Sequence, residues 1–295
     1  MRSARAFSDY VAEKNRELVL NSGIRNNCAD ENENDTMSDD KILPDHRDYI
    51  SALATGLEVL AAFDAEHQQM TLTQVAERMG IDRAKARRFL LTLHALGFIR
   101  RDGRVFALTP KVLTLGQAYT ASNNYLAVVE HYLKDITLSL GESASLGKLD
   151  GQYVVYVARS PASHRLMSIN ITTGTRLPAP YTSMGRVLAA WLDSAEQQTW
   201  LSEVQLTAHT RRSVTTPKAL KEVLDVTREQ GYNIVDQELE EGLRSVAVPV
   251  FSGKGGLIGA MNVSTNASRV SLETLTNECL PVLQQAAQNI RADTR

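Results

Sequence analysis

The segment from Thr71 to Thr109 constrains this chain most, because two short helical patterns, a three-residue turn and a Gly-centred hairpin follow one another without a gap. In TLTQVAERMG, Leu72, Val75, Ala76 and Met79 recur at i, i+3, i+4 and i+7 and share one helical face. Thr71 is the expected N-cap, and Gly80 is placed to stop the helix. Asp82 then caps a second pattern whose Ala86, Phe89, Leu90, Leu93 and Leu96 fall on one side and which Gly97 ends. Gly80, Ile81 and Asp82 form the tight turn between the two. Residues 98–101 and 104–108 alternate as a half-exposed ribbon, with Asp102-Gly103 as the expected hairpin loop. This order is that of a winged helix-turn-helix.

Charge says what such a unit is for. Between Arg78 and Arg104 stand eight basic residues (Arg78, Arg83, Lys85, Arg87, Arg88, Arg100, Arg101, Arg104) against two acidic ones, Asp82 and Asp102, whereas the whole chain has a net charge of −2. Positive charge focused on one small unit suits phosphates, whose binding releases counterions. The N-terminal half of a recognition helix reaches base edges in the major groove. Arg88, Lys85 and Arg87 are therefore the candidates for base or nearby phosphate contacts, Arg83 for the backbone, and Arg101 and Arg104 for phosphates or a minor groove at the wing tip. The partner expected is double-stranded DNA. A helical hairpin with a merely solvated basic face is the bland alternative, and the agreement of turn, wing and charge weighs against it.

At 295 residues the chain has room for two ordinary domains, and 43% apolar residues suffice for packed cores. No apolar run approaches a membrane span and no signal-peptide core is present, so a cytoplasmic location is expected. Cys28 and Cys279 belong to no CxxC or Cys/His cluster, and the six histidines have no ligand spacing, so no metal and no cofactor are expected. Residues 1–46 read as a disordered extension, because Asn26 to Asp40 is almost free of apolar side chains. Met37 is the expected native start. Residues 47–109 form the winged domain, 110–124 a linker helix and 125–295 a second domain. In the first of these, Ile50, Leu53, Leu57, Leu60 and Ala61 form a stripe expected to pack on the helix-turn-helix.

From Tyr125 the pattern becomes mixed. Helices are predicted near 126–140, 183–193, 194–203, 217–230 and 272–291, and strands at 144–149, 153–159, 166–171, 244–251 and 257–264, with Asp150-Gly151 as a hairpin turn. The class is α+β, with a mainly antiparallel sheet flanked by helices, as in small ligand-sensing domains.

Two segments here, RLPAPYTSMGRVLAAWL and QELEEGLRSVAVPVFSGKGGLIGAMNVS, resemble the effector domain of IclR-type bacterial transcriptional regulators, and the winged segment resembles their DNA-binding domain. The resemblance runs from Asp48 to Ile290. DYISALATGLEVLAAFD and RAKARRFLLTL resemble most the subgroup that governs protocatechuate and 4-hydroxybenzoate breakdown through the β-ketoadipate pathway. Met184-Gly185-Arg186 departs from the family's usual small residue followed by Gly-Lys. The resemblance implies a GAF-like cleft for a small aromatic or dicarboxylic acid, and homodimers that associate as tetramers. It also implies an effector pocket of Leu166, Ile169, Leu177, Ser183, Met184, Gly185, Asp236, Leu243, Ser245, Asn262 and Ser264. Arg159, Arg165, Arg176 and Arg244 are candidate counter-charges for an acid, or solvated surface residues.

Nothing points to catalysis. No GxSxG, HExxH or P-loop pattern occurs, Gly253-Lys254-Gly255-Gly256 reads as a hairpin loop, and the acidic group Glu238, Glu240 and Glu241 reads as a solvated loop. The expectation is a ligand-responsive DNA-binding regulator of an aromatic-acid operon, sensing an acid such as protocatechuate. The alternative is a metabolite-binding protein or enzyme whose first domain serves protein contacts.

Overall fold

The computed structural model describes residues 44–162 and 171–294. The expected extension, with Cys28 and Met37, lies almost wholly outside the described residues. The chain forms two compact units, one ending at Ser122 and the other beginning at Asn123.

The first unit contains α1 (Ser51–Ala61), β1 (Met70–Thr71), α2 (Leu72–Met79), α3 (Arg83–Ala95), β2 (Ile99–Asp102), β3 (Val105–Leu108) and, after a 3-10 turn at Pro110–Val112, α4 (Leu113–Ser122). The caps explain where its helices start and stop. Thr71 accepts from the Gln74 N–H while the Gln74 side chain accepts from the Thr71 N–H, a closed capping box. Gly80 ends α2 with φ +63°, a left-handed conformation that costs glycine nothing. Asp82 accepts from the Lys85 N–H at 2.7 Å and starts α3. Val75, Ala76, Ala86, Leu90 and Leu93 are buried with Ile99 and Phe106 of the wing. Each large side chain removed from water contributes about 1.5–3 kcal/mol.

Two local expectations are corrected. Of the stripe assigned to α1, only Leu60 is buried, together with Val59, Ala62 and Phe63, while Ile50, Leu53 and Leu57 are 65%, 60% and 54% exposed. The helix is apolar on both sides, so periodicity alone did not select the inner one. Leu96, expected in the core of α3, also lies beyond the helix end and is exposed.

The second unit contains α5 (Tyr125–Leu140), β4 (Ser143–Asp150), β5 (Tyr153–Ser160), β6 (Arg176–Pro178), α6 (Ser183–Ala190), α7 (Ser194–Glu203), α8 (Pro217–Gln230), β7 (Asn233–Asp236), β8 (Leu243–Phe251), β9 (Leu257–Asn266) and α9 (Leu280–Asp293), the last preceded by a helical turn and a π-helical segment, Leu275–Cys279. Its six strands lie in the order β6-β5-β4-β9-β8-β7, all pairs antiparallel. The expected strand at 166–171 falls mostly on residues outside those described. The helix expected to reach Asp193 stops at Ala190, because Asp193 instead caps α7 by accepting from the Glu196 N–H.

Both Asp-Gly signals mark hairpins, each displaced by one residue. Asp102 pairs with Val105 and Asp150 with Tyr153, so the loops are Gly103-Arg104 and Gly151-Gln152. Glycine occupies the first central position with φ +57° and +56°, and the following residue keeps negative φ, as in a type II′ turn.

The two faces of the large sheet differ in chemistry. Ala144, Leu146, Ala158, Val246, Val248, Val250, Met261 and Val263 face α5 and α9 and pack with Val129, Leu133, Ile136, Leu283 and Ile290 in one apolar core. The alternate residues, Ser145, Ser245, Asn262 and Ser264, are equally buried but polar, and α6 crosses this second face. A β-bulge between Leu146/Gly147 and their β5 partners inserts Val157, so Ala158 opposes Leu146 and Tyr156 opposes Gly147. One extra residue thus turns Tyr156 from the apolar core to the polar face.

Candidate functional site

On the winged unit, Arg83, Arg87 and Arg88 of α3 and Arg104 of the wing loop are exposed. None of them pairs with a carboxylate among the described residues. They and half-buried Lys85 lie on or beside the solvent side of a helix whose opposite side, Ala86, Leu90 and Leu93, is fixed in the core. Arg101 differs. It sits in β2 opposite Phe106, its Nε donates to the Gly103 carbonyl at 2.9 Å, and its guanidinium lies 5.9 Å from the Phe106 ring centroid. Arg78, counted in the basic cluster, is also engaged, donating to Asp64 Oδ2 at 2.5 Å and contacting His67. The free charge is therefore concentrated on α3 and the wing loop.

On the second unit, Tyr156, Leu177, Tyr181, Thr182, Val235, Leu239, Leu243, Ser245, Asn262 and Ser264 surround a cavity of about 10 Å³ on the polar face of the sheet. That is room for one water, so a larger ligand enters only if a wall side chain moves. The hydroxyls of the wall are paired: Ser183 Oγ donates to Ser245 Oγ at 2.9 Å, and Asn262 Nδ2 donates to Ser264 Oγ at 3.0 Å. Asn262 is 3% exposed, and its Oδ1 has no hydrogen-bond partner. An orphaned buried amide oxygen costs free energy, roughly 1–3 kcal/mol. In the row that crosses the sheet here, Arg159 opposes Ser145 and Ser145 opposes Asn262. Arg159 donates to Ser145 Oγ at 3.0 Å and, among the described residues, holds no carboxylate. Partial burial lowers its pKa from the usual arginine value, with neighbouring Tyr156 working the other way. Burial pushes the Tyr156 phenol up to about 12, opposed by the Arg159 charge.

One wall of the cavity is a strap, residues 237–242, that joins β7 to β8 and carries Leu239 inward. Glu238 in this strap meets Arg186 of α6 in a bidentate pair, with N–O distances of 2.7 and 2.5 Å, and Arg186 is 2% exposed. Arg186 Nε also donates to the Pro180 carbonyl, and Glu238 Oε2 accepts from the Val214 N–H. The expected solvated acidic loop is thus corrected: Glu238 is a largely buried clamp, its side chain 12% exposed, while Glu241 faces solvent. Gln237 at the strap's edge has φ +60°, a strained region for a side chain with a Cβ, and its Oε1 accepts from the Gly242 N–H.

Of the pocket residues implied by the resemblance, Leu177, Leu243, Ser245, Asn262 and Ser264 line the cavity, and Ser183 hydrogen-bonds into its wall. Three sit elsewhere. Met184 packs where a Cβ on Gly147 would lie 3.1 Å from its sulfur, Gly185 leaves space for the Ala179 backbone, and Asp236 is held by Arg244 at 2.6 Å and by Arg212. Partial burial opposes the charge on Asp236, but hydrogen bonding and charge from Arg244, with Arg212 behind it, hold the carboxyl below its usual range. Leu166 and Ile169 lie outside the described residues, as does Arg165. Arg176 pairs with Asp150 and stacks on Tyr153, and Arg244 is taken by Asp236 and the Val270 carbonyl, so Arg159 alone of the candidate counter-charges described lacks an acidic partner. Tyr156, Tyr181, Thr182, Val235 and Leu239 were not singled out from sequence. A lone leucine inside an acidic run was the available signal for Leu239.

Among the described residues no cluster of metal-ligating side chains occurs, and no helix is long and apolar enough to cross a membrane. Residues 52–103 match the IclR helix-turn-helix domain, and residues 117–292 match the bacterial transcriptional regulator IclR C-terminal domain. The chain belongs to the IclR family. It is a DNA-binding transcriptional regulator and not an enzyme. The Pca regulon regulatory protein of Pseudomonas putida is 41% identical over 243 residues, 82% of this chain and 84% of that protein. The p-hydroxybenzoate hydroxylase transcriptional activator of Acinetobacter baylyi is 36% identical over 248 residues, 83% and 92% of the two chains. A putative transcriptional regulator of Rhodococcus superposes with a TM-score of 0.72 at 43% identity, covering 83% of this chain and 98% of its own. The inducer-binding domain of a doubly mutated PobR from Acinetobacter, solved with 3-hydroxybenzoic acid, gives a TM-score of 0.53 at 31% identity over 56% of this chain and 97% of its own.

Proposed function

We propose that this IclR-family regulator controls an operon for aromatic-acid catabolism and senses a small aromatic or dicarboxylic acid, protocatechuate first, then 4-hydroxybenzoate and β-ketoadipate. The observation that carries the reading is the union in one chain of a recognition helix with unpaired arginines and a sensing sheet whose inner face is polar around Asn262. Support comes from the two relatives named for Pca and p-hydroxybenzoate regulation and from the PobR domain solved with a hydroxybenzoic acid. The regulator acts in the cytoplasm as a homodimer or tetramer, and the exposed stripe Ile50, Leu53 and Leu57 on α1 is a surface suited to a second copy. Arg83, Lys85, Arg87, Arg88 and Arg104 contact operator DNA, and Arg101 stiffens the wing beside them. Ligand bound behind the 237–242 strap favours one arrangement of the paired subunits, by as much as its affinity differs between arrangements. The linker region, residues 110–124, transmits it.

A mobility-shift titration on the DNA upstream of the protein's own gene and its neighbour, with and without aromatic and dicarboxylic acids, tests this. A specific shift altered by one acid is expected. A specific shift that no acid alters overturns the aromatic-acid assignment.

A further inference from the structure

We infer that residues 238–241 are a flap over the small cavity of the second unit and that the Arg186–Glu238 pair is its latch, so that breaking one buried ion pair admits or releases the effector. This rests on the sensing role proposed above and adds what limits the effector's passage.

Three observations converge. The cavity has room for one water, so an organic acid enters only when a wall moves. Of the described residues that line it, Leu239 alone belongs to neither a strand nor the turn that leads into α6. The strands are tied to their neighbours by ladder hydrogen bonds, whereas residues 238–241 pair with no strand. Next, the strap is built as a hinged unit. Gln237 and Gly242 bracket the four residues with φ +60° and +84°, and they close its base: the Gln237 N–H donates to the Leu243 carbonyl at 2.7 Å, and the Gly242 N–H donates to Gln237 Oε1 at 3.1 Å. A short segment between two such chain reversals can swing while its ends stay where they are. Finally, ties to two separate elements gather on Glu238. Its carboxylate accepts from both terminal nitrogens of Arg186 on α6 and from the Val214 N–H at 3.1 Å, and its carbonyl accepts from Ser213 Oγ at 2.7 Å. Arg186 is 2% exposed, so water does not compete for the pair until the flap lifts. Leu239 follows directly in the chain, and lifting Glu238 draws that side chain out of the cavity wall. One break therefore opens the pocket, and the closed state before and after entry is the same.

Stopped-flow fluorescence of the full-length protein mixed with an excess of protocatechuate or 4-hydroxybenzoate tests it. The observed rate is expected to level off with ligand concentration at the opening rate of the flap. Glu238→Gln, which keeps the shape and loses the charge, is expected to raise that plateau about tenfold or more, the fold-change of one hydrogen bond to a charged group. Thr210→Val, which removes the hydroxyl that donates to the Gln237 carbonyl at 2.7 Å and leaves the ion pair whole, is expected to raise it by a smaller factor. A rate that climbs without levelling up to the solubility of the acid overturns the inference and leaves the sensing role standing. So does a plateau that Glu238→Gln leaves unchanged while lowering stability, which makes the pair a strut only; should that variant not fold, an unchanged plateau in Thr210→Val is decisive in the same way. Failure of the wild type to bind either acid overturns the aromatic-acid reading, and nicking by a glutamate-specific protease then judges the flap alone. Cutting after Glu240 and Glu241 about tenfold or more faster in Glu238→Gln supports the latch, and equal rates overturn it.

Discussion

Two sets of arginines, one from each unit, are used in opposite ways. In the sensing unit Arg186, Arg244 and Arg269 are tied to Glu238, Asp236 and Glu142, and the carboxylates are largely buried. On the winged unit Arg83, Arg87, Arg88 and Arg104 are exposed and, among the described residues, meet no carboxylate. An arginine that spans two elements and meets a buried acid is a structural strut, costly to remove because its partner stays behind. An arginine on the outside of a well-packed helix contributes almost nothing to folding, which leaves it available for an external anion. Residue type is the same in both; the partner distinguishes them.

The comparison breaks most readily at its strongest strut. Arg186→Ala leaves Glu238 buried without its counter-charge and is expected to lower stability by about 3–5 kcal/mol in urea denaturation. A loss below about 1 kcal/mol would show that the clamp is dispensable. Asp236→Asn removes the charge that Arg244 and Arg212 share, and a loss of roughly 1.5–3 kcal/mol at neutral pH follows from a charged hydrogen bond. Because the Asp236 pKa is depressed in the fold, its contribution exists above the unfolded carboxyl pKa and fades as pH falls through the folded value. The gap between Asp236→Asn and wild type is therefore expected to close below about pH 4. A gap independent of pH would remove the charge from the account.

On the other side, Arg88→Ala is expected to leave stability within the scatter of surface substitutions, about 0.5 kcal/mol, while weakening operator binding by roughly 1–3 kcal/mol. Binding measured against salt would show whether the slope becomes shallower by about one counterion, the result for a phosphate contact, or stays put, the result for a base contact. A large stability loss instead would place Arg88 among the struts. The smallest effect concerns the scaffold that presents these arginines. Thr71→Ala opens the capping box of α2 and is expected to cost about 1 kcal/mol, read from thermal unfolding of the winged unit.

Local rules made the winged unit readable in advance. Thr71, Gly80 and Asp82 act through neighbours three or four residues away, so their roles are written in short stretches of chain. The Asp-Gly pairs announced their hairpins for the same reason, and the one-residue displacement arose because Asp-Gly fits two turn types. The stripe on α1 misled because its helix is apolar on two sides and the selecting partner, Phe89 against Gly56, comes from another helix. In the sensing unit, β8 and β9 were legible from alternation, and with them Ser245, Asn262 and Ser264. Glu238 was misread because its partner Arg186 lies 52 residues earlier in the chain. Distance along the chain, more than chemistry, set the limit of legibility.

The bulge at Val157 has a consequence for how β5 tolerates change. Val154 and Tyr156 face the polar side, whereas Ala158, although it continues their even numbering, faces the apolar core. A scan of substitutions along the strand should therefore change phase at this point: even positions before it alter the polar face, and the next even position alters the apolar core. Insertions and deletions in this strand acquire an unusual power, since removing or moving the extra residue would exchange whole sets of side chains between specificity and stability. A lineage with this fold can exchange the side chains that face the cavity by shifting register, without a single substitution in the strand.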